Sequence, residues 1–482
     1  MFRLIATPPR RALACLVPLL SLLGCSASRP PAAAAVSPTR PAAPLVMAAA
    51  TPPPPPTGAK SATPTAYTPV GATPRPPVVA PPIFPVMLGI DTLEADGFAA
   101  LKGKRIGLLT HLAAVNRRGV TTIDVLRHAP GVRLVALFAA EHDLDGSVPA
   151  GTNYKDHLDP HTGLMVHSLY YGVSLGHKPN RAQLKGIDAF VIDLQDIGTR
   201  SYTFISALKA AMEGCFENGV EVVVLDRPNP LGGLKVSGPP LDAQWVSYVG
   251  AFRVPYVHGL TMGELARMAH EAPGVLAVPD EVRARGRLVV VPMRGWHRRM
   301  RWPETGLKWV PTSPHMPDFA TVEGCPMTGL GCQIPGTFSN GVGNLYMFRG
   351  ISWKGVRAEV LERELRALRL PGLDFHRVSV PSTRTGQPAT GLFIEITDWD
   401  AWEPTELNFY LMRLACQHAP RNPFAAATRE QANLFLKLMG STAFFDDLAA
   451  HGARVDVDAY IREWRAKAAV YQRASRKYWL YD

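Results

Sequence analysis

From about residue 101 onward, short apolar and β-branched runs alternate with stretches whose apolar positions recur every three or four residues. Arg105–Thr110 reads as a strand, Thr122–His128 as a helix, and Val132–Phe138 as a strand leading into Ala140-Glu141-His142. A strand over Ala189–Leu194, a helix over Phe204–Asn218 and a strand over Val220–Leu225 follow. The strands are apolar throughout rather than alternating, as a parallel sheet covered on both faces requires. In such sheets ligands collect at the carboxyl ends of the strands, where Glu141, Asp193, Asp196, Asp226 and Arg227 fall. No G-x-G-x-x-G follows the first strand, so a nicotinamide or flavin cofactor is not expected.

The pattern changes near Pro311. Gly324–Gly343 reads as a long glycine-rich irregular loop. Helices are expected over Trp353–Leu368, Leu407–Gln417, Glu430–Leu438 and, basic and amphipathic, Ile461–Tyr478, with a strand over Gly391–Ile396. The expected fold class is therefore α/β: a parallel-sheet domain over 87–311 followed by a smaller α+β domain over 312–482.

Ahead of the folded body, residues 1–25 have a basic start (Arg3, Arg10, Arg11), an apolar run over Ala12–Leu23, and Leu22-Leu23-Gly24-Cys25. The run is too short to cross a bilayer, and the segment reads as a cleaved export signal whose end resembles a lipobox, with Cys25 as the lipidation site. Residues 26–86 are dominated by Pro and Ala and read as an extended disordered linker. The expected location is the periplasmic face of a cell-envelope membrane, anchored by the N-terminal lipid. This organisation also reassigns the net charge of +11. Seven basic and no acidic residues precede Met87, leaving 44 basic against 40 acidic over 87–482, which argues against a nucleic-acid partner.

Several constellations invite chemistry. Gly172-Val-Ser174-Leu-Gly176 matches a nucleophile elbow, but Pro179 breaks the helix that such an elbow needs. His142, His157 and His161, with Asp156 and Asp159, lack the helical i, i+4 pairing of a zinc enzyme, and no metal is expected. The interleaved block Trp296-His-Arg-Arg-Met-Arg-Trp302 is read as bordering a glycan or packing at the domain junction. Export permits a Cys325–Cys332 disulfide. The strand-end set is sharper, because glycoside hydrolysis needs an acid beside the leaving oxygen and a second group to stabilise the oxocarbenium ion or activate water. Glu141, next to His142, is placed to be the partly desolvated acid. Asp193, Gln195, Asp196, Arg200 and Tyr202 together suit a polyhydroxylated, acidic ligand. Each also has a structural alternative: Asp196 and Asp226 as helix caps, Arg200 in an internal ion pair, Glu264 as the third helical residue of a capping box on Thr261.

Five blocks carry a resemblance: 138–142, 193–203, 225–233, 258–264 and Ser313–Pro317. They look like the signature blocks of the NamZ family, formerly DUF1343, exo-β-N-acetylmuramidases of glycoside hydrolase family 171. The resemblance implies a Rossmann-like domain followed by a smaller domain with the active site in the cleft between them. It also implies release of N-acetylmuramic acid from the non-reducing ends of peptidoglycan. Carried over by position, Glu141, His142 and Asp196 are the catalytic candidates. Asp193, Gln195, Arg200, Tyr202, Asp226, Arg227, Asn229, His258 and Glu264 are the substrate-binding ones. The chain departs from the family at Asp143, usually Gly, at His111 and His315, usually Asn, and at a glycine-rich block. That block here reads Pro335-Gly-Thr-Phe-Ser-Asn-Gly-Val-Gly-Asn344; Pro335, Asn340 and Val342 replace two glutamates and an arginine. A non-hydrolysing peptidoglycan-binding protein on the same fold is the alternative.

Overall fold

A computed structural model describes residues 86–170, 177–343, 345–381 and 386–482. The lipobox Cys25, the Pro/Ala linker up to residue 85 and Ser174 lie outside the described residues.

Seven strands build the larger sheet: β1 (Arg105–Thr110), β2 (Arg133–Ala139), β3 (His157–Leu158), β4 (Met165–Ser168), β5 (Ala189–Ile192), β6 (Glu221–Leu225) and β7 (Leu288–Val291). Their order is β3-β4-β2-β1-β5-β6-β7, and all neighbours run parallel except β3 with β4. Side chains from both faces are buried, so β5 is covered along its whole length, in keeping with the continuous apolar runs. Covering helices include α1 (Gly89–Ala95), α2 (Thr122–Arg127), α3 (Thr203–Glu217), α4 (Met262–Glu271) and α5 (Asp280–Arg285). The chain adds β2 and β4 on one side of β1, then crosses to add β5, β6 and β7 on the other. The topological switch therefore lies between β1 and β5, where the loops leaving the two strands part and open a crevice.

The rest of the body comprises α6 (Phe319–Thr328), β8 (Gly350–Ile351), α7 (Ala358–Ala367), β9 (Leu373–Pro381), β10 (Pro388–Ile396), α8 (Glu406–His418), α9 (Arg429–Met439), α10 (Thr442–His451) and α11 (Val457–Ser475). β8, β10 and β9 form an antiparallel three-stranded sheet in that order. The glycine-rich stretch begins later than expected, because residues 324–328 finish α6, capped by the Asp318 side chain and carrying Pro326 inside it. The helix expected from Trp353 starts at Ala358, after the turn at Gly355, whose φ is +90°. Cys325 and Cys332 are free thiols, so the permitted disulfide is not formed. An apolar core joins α6, α8, α9, α10 and α11 to residues Ile197, Leu231, Tyr256 and Val257 of the larger-sheet segment. Among the described residues, no helix is long and apolar enough to cross a membrane.

Candidate active site

The loops leaving β1, β2, β5 and β6 carry the polar residues singled out in the sequence. Glu141 follows β2 and is 8% exposed. Its Oε1 accepts from the Gly151 amide at 2.7 Å and its Oε2 from the Thr203 hydroxyl at 2.6 Å. Tyr170 hydrogen-bonds it as well, and Tyr248 lies close enough for the carboxylate's charge to raise its phenol pKa, although burial is the larger cause for both tyrosines. Thr203 is the first residue of α3, so Glu141 faces the positive end of a helix of 15 residues. The partly desolvated acid expected from sequence thus has Gly151 N, Thr203 and Tyr170 as donors around it. The rings of Tyr170, His177 and Tyr248 pack together beside it, His177 stacking on Tyr248 at 3.9 Å. These rings and Thr203 were not singled out in the sequence; only their tertiary convergence on Glu141 marks them.

His142 and Asp143 both have left-handed backbone, with φ of +78° and +65°. That explains the family's glycine at the second position, since a Cβ is strained there. Asp143 compensates by accepting from the Leu144 amide at 2.8 Å. The His142 imidazole meets the Val148 carbonyl at 2.8 Å. His157, His161 and His167 lie against Asp143, Asp124 and Asp156 respectively, so the histidines of this region are held by separate carboxylates.

Asp196 is also a buried carboxylate beside the switch. Its Oδ2 accepts from the Gly198 amide at 2.8 Å and lies 3.4 Å from His258 Nε2, while Oδ1 has no hydrogen-bond partner. His258 Nδ1 accepts from the Leu260 amide, which puts the proton of the neutral ring on Nε2, facing Asp196. Tyr202 lies near enough to Asp196 to feel its charge, although burial dominates the rise of its phenol pKa. Its hydroxyl reaches Thr312 at 2.7 Å, just before the Ser313–Pro317 block. Thr203, the next residue, bonds Glu141, so the start of α3 faces one carboxylate directly and lies within electrostatic reach of the other. His111, after β1, accepts the Gln195 amide at 2.9 Å on Nε2. Burial first, then Arg227 and His142 nearby, push its imidazole pKa well below the ordinary value.

The remaining candidates are architectural. Asp193 is fully buried in a bidentate pair with Arg227 and also accepts from Thr122. Arg200, read as a clamp for an acidic ligand, is fully buried and donates instead to the carbonyls of Pro239, Val254, Leu438 and Met439. With no carboxylate among those partners, burial lowers its pKa to about 10. Asp226 accepts from Arg227 N, Gly263 N, Thr261 and Tyr481. Asn229 closes a loop by bonding Leu260 O and Leu231 N. It packs on Gly198, where φ is +82° and an added Cβ would come within 2.4 Å of Asn229 Oδ1. Glu264 is the third helical residue of the capping box on Thr261, and it also pairs with the buried Arg298 at 2.6 Å. In the second half, Glu323 on α6 and Arg349 form an ion pair at 2.7 Å, with Arg349 also donating to Ile394 O on β10. Apart from Arg227, whose Nη1 has no partner among the described residues, none of these groups is directed at a ligand by its hydrogen bonds.

Both halves of the folded body are similar to known proteins. The family model described as "Exo-beta-N-acetylmuramidase NamZ, N-terminal" matches residues 106–320, and its C-terminal counterpart matches 326–481. The peptidoglycan beta-N-acetylmuramidase NamZ of Bacillus subtilis (strain 168) is 37% identical over 332 residues, covering 68% of this chain and 77% of that protein. A crystal structure of a DUF1343 family protein from Bacteroides fragilis NCTC 9343 superposes with a TM-score of 0.73 at 37% identity, over 83% of this chain and all of that one. A second from the same organism, 23% identical with a TM-score of 0.60 over 82% and 99% of the two chains, shares the fold. By both halves of its sequence and by its fold, the chain belongs to the NamZ family of muramidases.

Proposed function

We propose that the protein is a peptidoglycan-directed exo-β-N-acetylmuramidase that releases N-acetylmuramic acid from non-reducing chain ends. The observation that carries this reading is a pair of buried carboxylates in different surroundings at the carboxyl ends of the parallel strands: Glu141, bonded by Thr203 at the start of α3, and Asp196, beside His258. Glycoside hydrolysis needs two such groups with different surroundings. The donors around Glu141 stabilise negative charge on it and suit it to face the developing oxocarbenium ion or to orient water. Asp196, whose Oδ1 has no hydrogen-bond partner among the described residues, is assigned the role facing the leaving oxygen. His258 and His142 position the two carboxylate loops, and Gln195 and Arg227 border the same crevice. No cofactor takes part in this chemistry.

The experiment is release of a chromophore from a β-N-acetylmuraminide by the purified chain, with Glu141→Gln expected to lower kcat by at least about a thousandfold. An unchanged rate in Glu141→Gln would remove Glu141 from the chemistry. A second reading, a non-hydrolysing peptidoglycan-binding protein, is favoured by Pro335, Asn340 and Val342 in place of the family's charged residues. Binding of peptidoglycan fragments without any release decides for it. The segment ending in Cys25 supports export and anchoring to a cell-envelope membrane through lipid; Cys25→Ser is expected to move the protein from the membrane to the soluble fraction.

A further inference from the structure

We propose that a cavity at the switch point between β1 and β5 is a carboxylate-binding pocket, taking a small carboxylate that carries a hydrogen-bond donor beside it. The cavity is about 70 Å³ and is lined by Asn116, Arg117, Gln195, Arg227, Trp302 and Lys308, among others. That space is too small for a sugar ring and is about that of two waters or one carboxyl group. Three of the lining residues each hold a buried polar atom with no partner: Asn116 Nδ2, Trp302 Nε1 and Gln195 Oε1. The residues are 1%, 6% and 2% exposed. Buried polar atoms are normally paired, so three orphans around one cavity mark a ligand that the cavity awaits.

Both amides have fixed orientations. Asn116 Oδ1 accepts from the Arg118 and Val120 amides, so its Nδ2 is the free end. Gln195 Nε2 donates to the carbonyls of Asp196 and Pro228, so its Oε1 is the free end. The residues lining the cavity thus hold two N–H donors and one acceptor that the described residues leave unpaired. Arg227 adds a guanidinium whose Nε and Nη2 are held by Asp193 and Val115 O, while Nη1 has no partner among the described residues. Arg117 and Lys308 are exposed at this wall, and neither side chain forms an ion pair among the described residues. The nearest carboxylate on the Arg117 side, Asp91, is already bonded to the Leu88 and Arg117 amides. Two donors and a free guanidinium nitrogen match the two oxygens of a carboxylate, and Gln195 Oε1 matches an adjacent N–H or O–H.

The pocket deepens the proposed function, and rests on it only for the source of the ligand. N-Acetylmuramic acid is the sugar-borne form of this chemistry, its lactyl ether bringing the carboxylate beside the 2-acetamido N–H, and D-lactate, with its own α-hydroxyl, is a free form. Titration calorimetry on the full chain with N-acetylmuramic acid, N-acetylglucosamine and D-lactate tests it. N-Acetylmuramic acid is expected to bind about tenfold or more tighter than N-acetylglucosamine. Trp302→Phe, which removes only an unpartnered N–H, and Lys308→Gln, on the exposed rim, are each expected to reduce that preference several-fold without weakening N-acetylglucosamine. D-Lactate binding as tightly as the acidic sugar identifies free carboxylates as the ligand; tenfold weaker binding identifies the sugar. Equal binding of the two sugars, unchanged preference in both variants, or no binding of any probe overturns the pocket. Chromophore release is measured separately. Preference without release removes the hydrolase and leaves the pocket, whereas release without preference removes the pocket alone.

Discussion

Asp226→Asn should change how stability depends on pH while leaving the fold intact. Asp226 is fully buried at the carboxyl end of β6, and burial, opposed by bonds from Tyr481, Gly263 and Thr261, raises its pKa to about 6 from an ordinary 3.8. The folded chain therefore binds this proton more tightly than the unfolded chain does. The stability so contributed is full below the unfolded value and is lost as pH rises through about 6. A shift of about two units amounts to roughly 3 kcal/mol, of which about two-thirds falls between pH 4.5 and pH 8. Asparagine fits the site. Its carbonyl oxygen can take the two amides on Oδ1, from Gly263 at 2.8 Å and Arg227 at 3.0 Å. Its NH2 then faces the Thr261 and Tyr481 hydroxyls, which can turn from donors into acceptors. Urea unfolding followed by tryptophan fluorescence across this range should show the variant gaining about 2 kcal/mol on the wild type toward the alkaline end. Parallel stability curves for the two proteins would refute the reasoning.

Three further outcomes follow from particular bonds. Arg200→Lys should lose about 3 kcal/mol of stability, because an ammonium cannot serve four carbonyls, yet leave KM unchanged; a raised KM with normal stability would restore a ligand role. Thr203→Val removes one donor from Glu141 and should lower kcat by about ten- to a hundredfold with the melting temperature nearly constant, measured by chromophore release and calorimetry. At the left-handed Asp143, Asp143→Ala should be about 1 kcal/mol less stable than Asp143→Gly by denaturant titration, and equal stabilities would show that the turn carries no backbone strain.

The larger sheet was legible because its strands are short apolar runs bounded by turns; β1 spans the same residues, Arg105–Thr110, in pattern and in structure. β9 was not, because its exposed edge reads Leu-Asp-Phe-His-Arg-Val-Ser-Val-Pro, with charges among the apolar positions and a terminal proline. α6 was hidden by Gly324 and Pro326, which local propensity counts against a helix and tertiary packing overrides. At the site, the sequence located the polar residues but did not distinguish their tasks. Arg200 and Asp196 stand four residues apart in one motif. The partners that make Arg200 structural, the carbonyls of Leu438 and Met439, lie 238 and 239 residues away. Asp196 is set apart by a buried oxygen to which the described residues offer no hydrogen-bond donor.

The far end of the chain closes the region around β6 and α4. Tyr481 bonds Asp226, Leu480 N bonds Glu264, and Arg298 stacks on Trp479 at 3.7 Å. These ties span up to 255 residues. During synthesis, two buried acids of the larger-sheet segment wait for their last donors until Leu480 and Tyr481 emerge. Severing the chain between the two family-matched segments would strip those acids of partners, so each half alone should fold poorly and the two should regain stability when mixed. Cooperativity here belongs to the whole body, and its folding completes late.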